Sequence, residues 1–201
     1  MFDAKLRALI DPPLNAAGRL FARAGISADV VTVTGFLCGL SGAVAIVFNE
    51  LWVALGLIVL GRVLDGLDGA IARASKPTDR GGFLDIALDF IFYGAVPLAF
   101  AMQNPFQNAL PAAALIASFY ANGSVFLAFS ALAAKRGLET KLQGEKSIHY
   151  MAGLAEGAET IMVFVAFCLF PQAFPWLAGL FALVCYLSAA ARLILAWRAL
   201  A

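Results

Sequence analysis

The chain has 201 residues, 62% of them hydrophobic and 13% charged. A soluble domain is about half apolar and about a quarter charged, so this composition excludes a disordered chain, a disulfide scaffold and an ordinary cytosolic enzyme. The net charge of +1, from 14 Lys/Arg against 13 Asp/Glu, gives no global field to attract nucleic acid, and no nucleic-acid partner is expected.

Residues 1–27 form the first unit. Phe2, Leu6 and Ile10 share one face with Lys5 and Arg7 turned away, and Leu14, Leu20 and Phe21 alternate with Arg19 and Arg23 beyond Pro12-Pro13. That pattern predicts two short amphipathic pieces lying in the membrane interface, cations toward anionic headgroups. Charges persist to residue 23 and no small-residue cleavage site follows an apolar core, so a signal peptide is not expected.

A spanning helix needs about 20 apolar residues. Six stretches meet this, at about 29–48, 51–73, 82–103, 108–134, 148–170 and 174–197. The expected architecture is therefore all-α: an integral membrane bundle of six helices over residues 28–201, preceded by the interfacial segment. Thirteen of the 14 cations fall at one end of these spans or in the loops at that end. The positive-inside rule then puts both termini in the cytoplasm. The cysteines Cys38, Cys168 and Cys185 sit singly in apolar runs and read as small core residues. Gly35 with Gly39, and Gly153 with Gly157, make small-xxx-small faces that serve either internal packing or a homodimer contact.

Ionisable groups inside a span are costly and mark function. There are seven: Arg62, Asp65, Asp68, Asp85, Asp89, Glu156 and Glu159. Asp65, Asp68, Gly69 and Ala72 share one stripe of the second span, and Asp85 and Asp89 stand one turn apart in the third. The two spans form a hairpin, so four carboxylates converge near its cytoplasmic end. They cannot all stay ionised without cations, and two divalent ions would neutralise them and hold phosphate oxygens. All-oxygen ligands select hard ions, Mg²⁺ or Mn²⁺.

The run Asp65-Gly-Leu-Asp68-Gly69-Ala-Ile-Ala72-Arg73, then seven residues, then Gly81-x₃-Asp85-x₃-Asp89, resembles the signature of the CDP-alcohol phosphotransferase (phosphatidyltransferase) family. The turn from Arg73 to Gly81 is one residue shorter than is usual in that pattern. The resemblance implies a membrane phosphotransferase that moves a substituted phosphate from a CDP-linked donor, such as CDP-diacylglycerol, to an acceptor alcohol in phospholipid biosynthesis, releasing CMP. By position it implies Asp65, Asp68, Asp85 and Asp89 as metal ligands and Asp89 also as general base. Asp65, Gly69, Ala72 and Arg73 would meet the CDP moiety and its phosphates, and the active site would face the cytoplasm, at a bacterial inner membrane.

Arg62 is expected to pair with Glu156 or Glu159 across the bundle, or else to bind the acceptor. Glu156 and Glu159 divide evenly between structure and acceptor recognition. Arg192, or Lys141 and Lys146, can supply charge to an anionic acceptor, and His149 reads as a bystander. Two other classes use buried acids: cation- or proton-coupled transporters and intramembrane prenyltransferases. The first has no use for the Gly69–Ala72–Arg73 spacing. The second separates its acidic motifs widely, whereas here four aspartates fall within 25 positions.

Overall fold

The computed structural model describes residues 2–136 and 157–200, with side chains from Pro12 onward in the first helix. Within them the chain is all-helical: α1 (Phe2–Arg23), α2 (Ala28–Val47), α3 (Leu51–Ala74), α4 (Asp79–Gln103), α5 (Pro105–Lys135), α6 (Gly157–Leu169) and α7 (Phe174–Leu200), with a single 3₁₀ turn at Pro171–Ala173 before α7. Three of the helices, α2, α4 and α5, and the segment Pro171–Leu200 that contains α7, are long and apolar enough to cross a membrane. The chain is a multi-pass membrane protein. At 24 residues α3 has the length, but from its middle onward it carries Arg62, Asp65, Asp68 and Arg73. The described part of α6 is 13 apolar residues.

The first helix differs from expectation, running unbroken through Pro12-Pro13. Those prolines remove two helical hydrogen bonds. Packing offsets the loss: Leu14, Ala17, Phe21 and Ala22 sit against a cluster of Val31, Leu67 and Ile71. A Cβ on Gly18 would lie 2.7 Å from the backbone of Ala70, so α1 meets α3 in direct contact there.

Each turn has a local cause. At the end of α2, Asn49 takes a left-handed φ of 63°, which Asn tolerates better than most residues. After α3, Ser75 Oγ donates to Ile71 O at 2.8 Å, Pro77 bars further helix, and Thr78 Oγ1 accepts from Gly81 N at 3.0 Å to start α4. Asn104 caps α5 in the same way, accepting from Gln107 N at 3.3 Å, so that helix opens at Pro105 rather than near residue 108.

The glycines of α2 act inside the fold. Gly35 lies against the carbonyl of Gly61, and a Cβ on Gly39 would strike the Phe92 ring. This face is covered by α3 and α4, so its use is internal packing and not a homodimer contact. Gly153 lies outside the described residues. Away from the acidic residues, the core is a stack of fully buried rings. Phe100 stacks on Phe174 with centroids 4.6 Å apart, and Phe167 meets Phe174 edge-on at 4.7 Å. That rigid half sets the relative register of α4, α6 and α7, and with it the polar half above.

Candidate active site

One stripe of α3 runs Ala54, Ile58, Gly61, Arg62, Asp65, Asp68 and Ala72; one stripe of α4 runs Asp85, Asp89, Phe92, Tyr93, Val96 and Phe100. Each is apolar toward the ring core and acidic toward the α3–α4 turn. The hairpin lays the acidic ends together. Carboxylate oxygens of Asp65, Asp68 and Asp85 lie within 4.8 Å of one another. The shorter turn before Gly81 leaves this convergence intact.

Burial differs across the group. Asp68 is buried at 6% exposure, Asp65 and Asp89 are half-buried, and Asp85 is exposed at the mouth. Asp68 Oδ2 is buried and receives no hydrogen bond from the described residues. A buried carboxylate oxygen without a donor is costly, and a cation beside Asp65 and Asp85 would relieve it. The residues present therefore fit a hard divalent ion.

Asp89 stands apart from that trio. Its Oδ1 pairs with Arg62 Nη1 at 2.9 Å, and its Oδ2 accepts from the Tyr93 hydroxyl at 3.3 Å. Arg62 Nη2 donates to Asp65 Oδ1 at 2.7 Å, and its guanidinium lies 5.3 Å above the Phe92 ring. Arg62 thus pairs within the aspartate group, on α3 with Asp65 and on α4 with Asp89. Glu156 lies outside the described residues, as do Lys141, Lys146 and His149; Glu159 is half-buried in the first described turn of α6.

Two cavities meet at Asp85. The first, about 490 Å³, lies between α2, the α3–α4 turn and the start of α4, and is lined by Asp29, Thr32, Asp68, Gly69, Ala72 and Arg80 among others. Gly69 and Ala72 add almost no side chain to its wall, and Arg73 Nη1 would lie 3.2 Å from a Cβ on Gly69. Arg73 Nη2 also donates to Asn15 Oδ1 of α1 at 3.1 Å. Arg80 at the mouth is paired with Asp29 of α2.

The second cavity, about 270 Å³, opens between α4, α5, α6 and α7. Asp85 and Asp89 form one wall; Tyr93, Asn122, Phe126 and Arg192 stand among the others. Arg192 Nη1 donates to Asn122 Oδ1 at 3.0 Å and its guanidinium lies 5.7 Å from the Phe126 ring centre. Sequence reasoning missed Tyr93, although it stands one turn past Asp89. It also missed Asn15, Asn122 and Phe126, which no local spacing connects to the aspartates.

The profile of the CDP-alcohol phosphatidyltransferase family matches residues 26–200, which include all four aspartates and, apart from Ala22 and Gly25, the lining of both cavities. The chain belongs to the CDP-alcohol phosphatidyltransferase family. It is a transferase of substituted phosphate groups in phospholipid biosynthesis, in a family that generally uses divalent cations. That membership sets aside the transporter and prenyltransferase readings. The inner membrane protein YnjF of Escherichia coli is 44% identical over 188 residues, 94% of this chain and 91% of that one. An archaetidylinositol phosphate synthase of Pyrococcus horikoshii is 36% identical over 87 residues, 43% of this chain and 46% of its own length. The fold is similar to that of the phosphatidylinositol phosphate synthase PgsA1 of Mycobacterium tuberculosis, solved with CDP-DAG bound: TM-score 0.67, 23% identity, covering 92% of this chain and 93% of that one.

Proposed function

We propose that this CDP-alcohol phosphatidyltransferase takes the phosphatidyl group of CDP-diacylglycerol, held in the 490 Å³ cavity, and transfers it to an alcohol held in the 270 Å³ cavity. The observation that carries this reading is that Asp85, one of the three converging carboxylates, lines both cavities. The PgsA1 structure with CDP-DAG bound supports the donor class through the shared fold.

Gly69 and Ala72 give the nucleotide room to lie against α3, and Arg73 takes a phosphate oxygen. Asp65, Asp68 and Asp85 would hold a divalent ion, Mg²⁺ or Mn²⁺, and Asp89 would contribute to a second. When bound, such ions neutralise pyrophosphate charge and stabilise the departing CMP. Asp89 faces the acceptor cavity and acts as general base. The acceptor oxygen bonds to the phosphorus, its proton passes to Asp89, and the bond from phosphorus to the CMP oxygen breaks. Arg192, held by Asn122 and Phe126, meets an anionic group on the acceptor, and Glu159 stands near the same wall.

In the membrane, α2 to α7 make six spans, with α3 and α6 joining the four most apolar helices. The 1–27 segment lies at the interface, and 28–201 form the transferase domain. Described cations such as Arg23, Arg73, Lys76, Arg80 and Arg136 gather at the ends nearest the aspartates, which supports a cytoplasmic active site and cytoplasmic termini. Resemblance to YnjF supports a bacterial inner membrane.

The test is CMP release by purified protein given CDP-diacylglycerol, Mg²⁺ or Mn²⁺ and a panel of alcohols. Metal-dependent release with one acceptor class is expected, lost in Asp89→Asn with the fold retained. No release with any alcohol, or full activity in that variant, refutes the assignment.

A further inference from the structure

A permanent positive charge sits inside the aspartate centre. The Arg62 side chain is 19% exposed and forks between two carboxylates on different helices, Asp65 Oδ1 at 2.7 Å and Asp89 Oδ1 at 2.9 Å. With Tyr93 on Oδ2, both oxygens of Asp89 are engaged. The space left around Arg62, Asp65, Asp85 and Asp89 is about 10 Å³, room for about one water. A cation bridging the same two oxygens would contend with the guanidinium for both. Arginine cannot lose its proton to yield that place, and its planar fork suits a bridge between two carboxylates. Phe92, buried beneath it, fixes the plane.

We infer that Arg62 is a resident counter-ion that competes with divalent metal for Asp65 and Asp89, and so keeps Asp89 turned to the acceptor cavity as a base. It is a positioning residue acting through Asp89. The role as base rests on the transferase reading above; the competition with metal does not.

Manganese binding to the full-length protein in detergent, read from the loss of the free Mn²⁺ paramagnetic resonance signal, needs neither donor nor acceptor. Arg62→Gln is expected to bind Mn²⁺ about fivefold more tightly or better, because a repelling charge goes and two carboxylates are freed. Arg62→Lys keeps the charge but touches one carboxylate at a time, so its gain is about twofold to threefold. Adding Asp89→Asn to Arg62→Gln should return the affinity to within about twofold of the unchanged protein. An arginine that merely supports the fold gives the opposite sign, weaker binding in each variant. Unchanged or weaker binding in Arg62→Gln overturns the inference, as does a gain that survives Asp89→Asn. Where Arg62→Gln fails to fold, Arg62→Lys decides alone, and no gain there is fatal.

With CDP-diacylglycerol as donor, Arg62→Lys should lower kcat about tenfold or more while the donor KM stays within about twofold. Unchanged kcat refutes the positioning role. If the unchanged protein releases no CMP from any donor, the transfer reading falls and the metal result still stands.

Discussion

Asn15 and Arg73 join the first helix to the end of α3: Arg73 Nη2 donates to Asn15 Oδ1 at 3.1 Å, across 58 positions of sequence. The contact stands beside the tight approach of Gly18 to Ala70. Helix α1 is therefore docked where Arg73 emerges from α3, and its Asn15 holds that guanidinium.

Asn15→Ala should free Arg73 without removing it. One exposed hydrogen bond to a charged group is worth about 0.5–1 kcal/mol, so the donor KM should rise about twofold to fivefold with kcat little changed. Arg73→Ala should cost more, and the double variant should match Arg73→Ala alone, because Asn15 acts only through it. Steady-state CMP release measures all three. A double variant that is additively worse shows that Asn15 works by another route.

The close pairing of α2 and α3 predicts a steric limit. A Cβ on Gly61 would lie 2.8 Å from Gly35 O and 3.1 Å from Gly39 N, backbone atoms that have nowhere to move. Gly61→Ala should destabilise the fold by about 1–3 kcal/mol. Gly56, on the same helix, has nothing within 4 Å of its would-be Cβ. Gly56→Ala should be neutral or slightly stabilising, by about 0.5 kcal/mol. Thermal unfolding in one detergent compares the two, and equal shifts would mean that α2 and α3 do not meet at these glycines.

The aspartate pairs were legible in the sequence because their spacing lies within single helices, at i, i+3 and i, i+4, and the short turn leaves their helices little choice but to face. The partner expected for Arg62 was Glu156 or Glu159, although Asp65 stands one turn along its own helix. The bond from Arg62 to Asp89 depends on the vertical register of α3 against α4, which α2 sets by packing Gly35 on Gly61 and Gly39 on Phe92, and which no spacing encodes. The same holds for the wall of Asn122, Phe126 and Arg192, assembled from α5 and α7. Pro12-Pro13 reads as a break by local propensity, yet the helix continues because residues 14–22 gain a packed face on α3. Gly35 and Gly39 fit either an internal or an external contact until Gly61 and Phe92 are seen to occupy them.

Asp68 supplies the sharpest test of the metal site. Its Oδ2 is buried without a hydrogen-bond donor, and Asp65 and Asp85 complete the trio. Asp68→Asn keeps the shape but replaces one carboxylate oxygen with an amide that repels a cation. Mn²⁺ affinity should fall about tenfold to a hundredfold. Chelation should stop CMP release by the unchanged protein, and added Mg²⁺ or Mn²⁺ should restore it. Retained Mn²⁺ affinity in Asp68→Asn would move the site away from this trio.

Ala72 separates donor binding from metal binding. It lines the 490 Å³ cavity one turn beyond Asp68, outside the converging carboxylates. A leucine there fills space that the nucleotide is proposed to use and touches none of the three metal-facing oxygens. Ala72→Leu should raise the donor KM about tenfold, as expected of a side chain that excludes substrate from a formed pocket. Mn²⁺ affinity should stay within about twofold, since no charge changes near the ion. Gly69→Ala is expected to act in the same direction, because its Cβ would stand 3.2 Å from Arg73 Nη1 and turn that arginine aside. Its effect should be smaller, as the guanidinium can swing away. A donor KM unmoved in Ala72→Leu would place the nucleotide elsewhere than along this stripe of α3, whatever the metal data say.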